Sequence, residues 1–362
     1  MTYDMRIGGT EMVIKSIIDG SCKQRFNMSI FCIEEPLGPW GKALQKHGTK
    51  ITVHNRQEGF DFSLISKLRR FVKQHNINIV HCHQYTPWSY GALACFGLKT
   101  KVIFTEHGRF YPDIKSPKRK WVNPILLSLT DSITAISEAT ADALTEYEYI
   151  PRHEIKVIYN GIIEQCPNQE VSLNTIKSLF GIDNSTVLIG TIARLDPIKN
   201  HLMMLKSIRE LVDNGADVHF LLVGDGECRA QIEQAIAELN IADFVSLPGY
   251  ITEPAEYLAA IDIFLLTSFS EGTSMTLLEA MRDQKPCIVT NVGGNPEVIK
   301  DSLNGMVIES DDVAGLTGSL TKLIAQPELR SNMGKAGLER FNKFFTASKM
   351  CKDYQGIYSI LS

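Results

Sequence analysis

The chain has 362 residues, a length that suggests about two domains. Hydrophobic residues make up 44% and charged residues 22%, which is an ordinary balance for a globular protein in water. Lys+Arg 37 against Asp+Glu 41 leaves a net charge of −4, so the composition gives no sign of nucleic-acid binding. No apolar run reaches the length that spans a membrane.

The eight cysteines are scattered, with no CxxC pair and no zinc-ligand spacing. Cys32, Cys82 and Cys287 lie in strand-like apolar runs. We therefore expect reduced, buried thiols in a cytoplasmic protein, because disulfides persist mainly in oxidising compartments.

Taken in chain order, the first feature is a glycine loop, Gly8-Gly9-Thr10, before a predicted helix over Glu11–Ile18. Its backbone N–H groups suit close approach to a phosphate or a sugar, although a simple turn would look the same. Such a loop should follow a strand, but the seven residues before Gly8 are not strand-like. We therefore expect the first strand to be missing, through a start codon set too late or a truncation. Adding an apolar strand there should raise the thermal midpoint.

Short apolar runs then alternate with helical patterns, which predicts an α/β fold with parallel sheets. The weakest periodicity lies in residues 163–172, around Cys166-Pro167-Asn168, and we place the linker there. This predicts domains over 1–164 and 165–345 that face each other across a cleft, and a final helix at about 346–362. The predicted strands are Met28–Ile33, Lys50–Val53, Ile77–His81, Lys101–Thr105, Ser132–Ile136, Lys156–Tyr159, Thr186–Ala193, Val218–Val223, Phe244–Leu247, Ile261–Leu266, Pro286–Thr290 and Gly305–Ile308. The predicted helices include Ser63–His75, Glu138–Tyr147, His201–Asn214, Cys228–Leu239, Pro296–Lys300 and Val313–Ala325.

Histidines stand at two strand ends of the first half. His107 follows a predicted strand and precedes a glycine, so it can face the cleft, with Glu106 and Arg109 available to orient it. A lone histidine in this position is more often a polar strand-end residue. His81 and His83 share one strand face, but no third ligand follows at useful spacing, so packing or cleft lining is favoured over a metal site.

The segment Lys115–Trp121 is locally basic and ends in an aromatic residue. It could hold the first domain against anionic lipid headgroups. A solvated loop and helix start would have the same composition, and the sequence leaves both interpretations open.

Two cations follow a strand of the second half. Arg194 stands at the predicted strand end, and Lys199 lies in the loop just before the next helix. Together they could neutralise a diphosphate leaving group, because loops at the carboxyl ends of parallel strands bind ligands. Glycine turns at Val223–Glu227 and Leu247–Tyr250 could border a nucleotide, or could be turn chemistry alone.

The stretch from Ser268 to Met281 has a strand before it and a predicted helix, Met275–Arg282, within it. Ser274 or Thr273 can cap this helix, which leaves N–H groups and the helix dipole for an anion such as phosphate. Glu271 and Glu279 frame the site on the order of 10 Å apart, and ionised carboxylates accept hydrogen bonds from hydroxyl-rich groups.

These motifs occur together in one order: T-E-H-G, V-I-Y-N-G, A-R-L-D-P-I-K-N, V-G-D-G, L-P-G-Y, E-G-T-S-M-T-L-L-E-A and G-G-N-P-E-V-I, after an early G-G-T-E and I-V-H-C-H. With them the chain resembles the retaining glycosyltransferases of family 4 over nearly its whole length. The resemblance implies the GT-B fold, two Rossmann-like domains with the C-terminal helix returning to the first. It implies a nucleotide-sugar donor held mostly by the second domain and a saccharide acceptor at the first.

The resemblance also implies residue roles. Glu271 would bind donor-sugar hydroxyls, Glu279 the ribose, and Arg194 and Lys199 the diphosphate. His107 would contact the sugar or position the acceptor. The implied catalytic set is His107, Arg194, Lys199 and Glu271; the implied donor-binding set is Gly9, Thr10, Arg194, Lys199, Gly249, Tyr250, Glu271, Gly272, Thr273, Ser274, Met275 and Glu279. Thr273-Ser274 departs from the bulkier or glycine-containing stretch of many relatives, which puts sugar selection in doubt.

The expected activity is transfer of a hexosyl or N-acetylhexosaminyl group with retention, as in bacterial O-antigen or exopolysaccharide assembly. UDP is expected as the carrier from its frequency in the family, the acceptor is a saccharide that a lipid carrier could bear, and no metal or cofactor is expected. The protein would be cytoplasmic, with contact to the inner membrane face left open. A sugar-nucleotide epimerase of the same fold, or a non-catalytic nucleotide-sugar-binding protein, remains as an alternative.

Overall fold

The protein is described by a computed structural model that covers residues 1–22, 24–108, 115–164 and 169–362. The strands are β1 Ser29–Cys32, β2 Lys50–Val53, β3 Ile79–His83, β4 Lys101–Glu106, β5 Ser132–Ala135, β6 Ile155–Val157, β7 Val187–Ile192, β8 Val218–Val223, β9 Val245–Gly249, β10 Ile263–Leu266, β11 Cys287–Thr290 and β12 Gly305–Ile308. The helices are α1 Gly9–Asp19, α2 Pro39–Lys46, α3 Phe62–Gln74, α4 Tyr85–Cys95, α5 Arg119–Ser128, α6 Glu138–Glu148, α7 Gln169–Phe180, α8 His201–Asp213, α9 Arg229–Glu238, α10 Ala255–Ala260, α11 Met275–Arg282, α12 Asn295–Val298, α13 Val313–Ala325, α14 Pro327–Phe344 and α15 Ala347–Leu361.

The chain divides into two compact units. Unit 1 comprises Met1–Ile162 and Ala347–Ser362, and unit 2 comprises Ile163–Thr346. These limits lie within three residues of the predicted domain boundaries. The linker is shorter at its C-terminal end than predicted, because α7 already begins at Gln169. Its centre, Cys166-Pro167-Asn168, lies outside the described residues.

Unit 1 contains two parallel sheets, β1-β2 and β3-β4-β5-β6. Met1–Tyr3 lies between them: Thr2 forms a parallel bridge with Cys32, and the N-terminal ammonium donates to the carbonyl of His81 at 2.7 Å. These three residues occupy the position of the strand that the sequence led us to expect to be missing. The glycine loop and α1 therefore follow an extended segment that lies between the two sheets of unit 1. This is the placement that the glycine-loop motif requires.

Unit 2 contains one parallel sheet in the order β12-β11-β10-β7-β8-β9. The chain winds outward from β7 in one direction and from β10 in the other, so the switch point of this doubly wound sheet lies between β7 and β10. Ligands bind at such a point because the loops after the two strands diverge there. Strands β10 and β11 are wholly buried, as their unbroken apolar runs predict.

Helix α15 belongs to unit 1 although it follows unit 2 in the chain. Its buried face includes Met350, Tyr354 and Tyr358, each 5% exposed or less. The Tyr358 hydroxyl lies 2.8 Å from Nδ1 of His81 on β3. Within the described residues, no helix is both long and apolar enough to cross a bilayer.

Candidate functional site: two strand-end clusters

The loops after β7 and β10 are tied together at the switch point of unit 2. The Phe269 amide donates to the Ile198 carbonyl at 2.7 Å, and the Thr267 hydroxyl donates to the Lys199 carbonyl at 3.1 Å. Thr267 is fully buried. These bonds hold the backbone of Lys199 next to the loop that carries Glu271, so the two motifs form one surface.

Lys199 and Glu271 form an ion pair through Nζ and Oε1. Their side chains are 21% and 10% exposed, so water screens the pair only partly. The Ser268 hydroxyl donates to the same Oε1 at 2.6 Å. Two of the predicted site residues are thereby brought together, and Ser268, which we had not assigned a role, orients the carboxylate.

Gly293 braces the Glu271 loop from the next strand end. The Gly294 amide donates to the Glu271 carbonyl at 3.1 Å. Gly293 has φ +50°, and a Cβ at this position would lie 1.9 Å from the same carbonyl oxygen. Only glycine allows this close approach, which gives the G-G-N-P motif a structural reason.

Helix α11 begins as predicted, with Ser274 at the N-cap. Its hydroxyl accepts from the Leu277 amide at 3.3 Å, and its N-cap backbone is extended. Thr273 and Ser274 are both buried, beside Gly272 and Met275. Glu279 lies one turn into the helix, where burial raises the pKa of its carboxyl to about 7.

Arg194 is the most exposed of the predicted site residues in unit 2, at 74%. Its guanidinium pairs with Asp196, whose other oxygen accepts from the Ile198 amide at 3.0 Å. The strand ends at Ile192, one residue before the predicted end at Ala193, so Arg194 stands on the loop. It lies on the same loop as Lys199.

The second predicted glycine turn, Leu247–Tyr250, closes β9. The Gly249 carbonyl accepts from the Gly224 amide at 3.0 Å, which joins the two glycine turns. Gly249 has φ +85°, and Tyr250 after it is 57% exposed. Backbone groups of this turn therefore lie at the carboxyl edge of the same sheet as the Glu271 loop.

In unit 1, Gly9 and Thr10 form the first turn of α1, with Gly8 as an N-cap that offers no side chain. Glu11 is 8% exposed and its carboxylate reaches back toward Gly8, where a Cβ would lie 2.5 Å from its Oε2. Burial raises the pKa of this carboxyl. An acidic side chain thus already lies at the helix start that the sequence predicts for a phosphate or sugar.

His107 follows β4, where its amide donates to Oε1 of Glu106 at 2.9 Å. Its Nε2 lies 2.8 Å from Nδ1 of His83, at the end of β3. Burial lowers the pKa of His107 to about 3 and that of His83 well below its usual value, so both rings are neutral. Arg109, the other predicted partner, lies outside the described residues.

Both ring nitrogens of His81 have hydrogen-bond partners. Its Nε2 lies 2.7 Å from the Thr105 hydroxyl, and its Nδ1 contacts Tyr358. Among the residues that the structure describes, no group of three or more His, Cys, Asp or Glu side chains is arranged to hold a metal ion.

Some functional neighbours could not be read from the sequence. Ser268 and Glu271 both lie where the apolar residues of β10 give way to polar ones. The sequence pattern does not show which hydroxyl in this stretch points toward the Glu271 carboxylate. The pairing of His83 with His107 depends on the register of β3 and β4, which sets His83 opposite Thr105. The sequence signal for this pairing was the H-x-H spacing of His81 and His83, which puts both histidines on one face of a strand.

Two family models match the chain. The family described as Glycosyl transferases group 1 matches residues 173–340, and Glycosyltransferase Family 4 matches residues 7–165. The N-acetyl-alpha-D-glucosaminyl L-malate synthase of Bacillus anthracis is 30% identical over 303 residues, 83% of this chain and 79% of the relative. An Escherichia coli UDP-Gal:alpha-D-GlcNAc-diphosphoundecaprenol alpha-1,3-galactosyltransferase is 26% identical over 72% of this chain and 70% of its own.

Solved structures share the fold. Anabaena HepE in complex with UDP matches with a TM-score of 0.85 at 18% identity, over 99% of this chain and 98% of that one. A glycosyltransferase from Rickettsia africae matches with a TM-score of 0.87 at 19% identity, over 99% and 97%. The fold is that of the GT-B glycosyltransferases, and the chain belongs to the group 1 glycosyltransferases of family 4. The family and fold predicted from the motifs are confirmed.

Proposed function

We propose that the protein transfers a hexosyl or N-acetylhexosaminyl group from a UDP-sugar to a saccharide acceptor, with retention of anomeric configuration. The observation that carries this proposal is the Lys199–Glu271 pair beside the N-terminus of α11 at the switch point of unit 2. A cation, a carboxylate and free helix N–H groups are what a sugar diphosphate requires. The relatives named for UDP-Gal transfer and for binding UDP support the choice of carrier.

The ion pair suggests how the donor enters. An incoming diphosphate competes with Glu271 for the Lys199 ammonium, and Arg194 can swing from Asp196 to join it. Glu271 is then released to accept hydrogen bonds from the sugar hydroxyls while the Ser268 hydroxyl still donates to its Oε1. Glu279, when ionised, accepts from the ribose. The two cations stabilise the charge that develops on the leaving phosphate, and that phosphate takes the acceptor proton on the same face of the sugar.

A donor screen tests this proposal. UDP-, GDP- and ADP-linked sugars are compared for thermal stabilisation and then for nucleoside diphosphate release, with and without saccharide acceptors. We expect a UDP-sugar to raise the midpoint and to be consumed faster with an acceptor, with an α-linked product from an α-linked donor. Binding without consumption would instead identify a non-catalytic sugar-nucleotide protein, and conversion to an isomeric UDP-sugar would identify an epimerase.

We propose that no resident metal is needed, because Arg194 and Lys199 together supply the positive charge that a metal would bring to the diphosphate. Turnover should then be the same in EDTA and in added Mg²⁺. A loss of more than about tenfold in EDTA would show that a divalent cation takes part.

We further propose that α5 docks on an anionic membrane face, where a lipid-linked acceptor would lie. Trp121 and Ile125 project from this helix at 79% and 60% exposure, with Val122 between them. Lys118 and Lys120 flank them and are exposed. Lys115 and Arg119, the other basic residues of the Lys115–Trp121 segment, instead pair with Glu146 and Glu148. The docking surface is therefore α5 rather than the whole Lys115–Trp121 segment.

Vesicle sedimentation tests the docking surface. The protein should bind phosphatidylglycerol vesicles more tightly than phosphatidylcholine vesicles, and Lys118→Glu with Lys120→Glu should weaken binding because each lysine contributes about 1 kcal/mol. Trp121→Ser should weaken it as well. Ile360→Ser, at another exposed apolar position on α15, serves as control and should bind normally. Equal binding by all variants would exclude α5 as the contact.

A further inference from the structure

The four polar side chains His81, His83, Thr105 and His107 lie on one face of the unit 1 sheet. The register sets His83 opposite Thr105, and alternation along each strand puts His81 and His107 on the same side. Both ring nitrogens of His81 are occupied, one by Tyr358 and one by Thr105. These two contacts therefore hold the ring of His81 in one orientation on this face of the sheet.

The ring of His83 lies against the ring of His81. The ring centroids of His81 and His83 are 4.1 Å apart with 33° between the planes, and His83 is 4% exposed. Its Nδ1 lies 2.8 Å from Nε2 of His107. His83, which is itself packed against His81, therefore sets the orientation of His107.

The direction of this bond decides what His107 offers. In a neutral pair, one of the two facing nitrogens carries the proton. If His107 Nε2 donates, both rings have the Nε2–H tautomer, which is the more stable form of a free histidine side chain. The opposite direction would force both rings into the less stable form. With His107 Nε2 as the donor, its Nδ1 carries a lone pair.

That Nδ1 atom has no hydrogen-bond partner among the described residues, although it is buried. An unpaired buried acceptor is costly unless a ligand completes it. His107 as a residue is partly exposed while Nδ1 itself is enclosed, so a ligand that reaches this atom must open the contacts around it. A sugar hydroxyl, which donates one hydrogen bond, has the matching chemistry.

We propose that His83 is a positioning residue that holds His107 in the Nε2–H tautomer, so that His107 Nδ1 accepts a hydrogen bond from a hydroxyl of the sugar substrate. This inference rests on the proposed function for its substrate. The pairing of the two rings does not depend on that function. His83 itself touches no substrate and acts through His107.

Two substitutions separate this role from packing. His83→Phe keeps an aromatic ring on His81 but removes the acceptor. His83→Asn restores an acceptor oxygen close to the former Nδ1. The control is His219→Phe in unit 2, which removes a bond of the same 2.8 Å length, between His219 and Ser246, away from both strand-end clusters.

Long-range ¹H–¹⁵N spectra of histidine-labelled full-length protein read the tautomer without any substrate. We expect the wild type and His83→Asn to show His107 with a protonated Nε2 and a bare Nδ1. His83→Phe should show averaged nitrogen shifts. Unchanged His107 shifts in His83→Phe, or a protonated Nδ1 in the wild type, would overturn the proposal whatever the protein transfers.

Turnover of the best UDP-sugar from the donor screen gives the second readout. His83→Phe should lower kcat roughly tenfold or more, because a misplaced contact to the reacting sugar is felt in the transition state. His83→Asn should recover most of it, and His219→Phe should keep wild-type kcat. If His83→Asn is as slow as His83→Phe while its tautomer is normal, the positioning role is wrong.

Discussion

At the scale of single residues, Lys199 and Glu271 are the pair on which the proposed chemistry depends. Lys199→Ala and Glu271→Ala should each lower turnover by about 10²–10³-fold, as the loss of one charged transition-state contact does elsewhere. Lys199→Ala also leaves a carboxylate that is 10% exposed with Ser268 as its remaining described partner, so some stability is lost with it.

Glu271→Gln separates activity from folding, because the amide oxygen can still accept from Ser268. It should unfold near the wild-type midpoint and yet remain slow. The matched control is Glu210→Ala, which removes a carboxylate bonded to Thr317 on the exposed face of α8. Near-normal turnover in both Ala variants at the site would refute the assignment.

Glu279 makes stability depend on pH. Burial raises its folded pKa to about 7, above the ordinary 4.5, so the folded state binds more protons than the unfolded state between these values. The free energy of unfolding therefore falls as pH rises from about 4.5 to about 7 and stays low above it. Glu279→Gln removes this dependence and should raise the donor-free midpoint at pH 8.

The same substitution should weaken UDP binding at pH 8, because a neutral amide accepts less strongly than a carboxylate from the ribose hydroxyls. Thermal melts from pH 5 to 8, with and without UDP, measure both effects. A Glu279→Gln midpoint that follows the wild-type pH curve would show that another group titrates there.

The identity of these residues could be predicted from the sequence, but their contacts could not. Glu271 and Lys199 stand out because each follows a strand in a recognisable motif. Their ion pair joins positions 72 residues apart and depends on which strands are neighbours in the sheet. Arg194 shows the same limit, since its pairing with Asp196 is a choice of rotamer that no motif encodes.

At the scale of elements, Gly293 couples the strand-end loops. Gly293→Ala puts a methyl group against the Glu271 carbonyl and also forces a side chain to φ +50°, so it should cost on the order of 2 kcal/mol. Gly318→Ala is the matched control: it lies in α13 with open space around its Cβ, and should stabilise by up to about 1 kcal/mol. Denaturant unfolding of both variants measures the contrast; equal midpoints would mean that the Glu271 loop moves aside at little cost.

The bounds of β2, β8, β12 and α11 match the predicted ones. Helix α4 was not predicted because seven of its eleven residues are buried, so it lacks the polar face that makes a helical period visible. Strand β3 extends two residues beyond its prediction, to His83, because polar histidines on a strand resemble a loop.

At the scale of the molecule, the chain leaves unit 1 at Ile162 and returns to it at Ala347, whose amide donates to the Ile162 carbonyl at 2.8 Å. The alternation of strands and helices predicted two α/β units, since each parallel sheet needs helices on both faces. It could not show that α15 completes unit 1, because that depends on contacts across more than 270 positions, such as His81 with Tyr358.

Deleting residues 347–362 tests this return of the chain. The deletion uncovers the face on which Met350, Tyr354 and Tyr358 are buried, and each such side chain contributes about 1.5–3 kcal/mol when removed from water. It also leaves His81 without its Tyr358 partner. Unit 1 should therefore lose amide-exchange protection in β3 and β4. Unit 2 has a separate core that includes Phe220, and its protection should stay at the wild-type level.

A single substitution tests the same contact in case the shortened chain unfolds as a whole. Tyr354→Ala removes one fully buried side chain and should cost about 3–5 kcal/mol in unit 1 alone, by analogy with other buried aromatic truncations. Hydrogen exchange followed by mass spectrometry resolves the two units in one experiment. Equal loss of protection in β8 and β3 would show that the units unfold as one, and an unchanged β3 would show that α15 does not stabilise the sheet that carries the histidines.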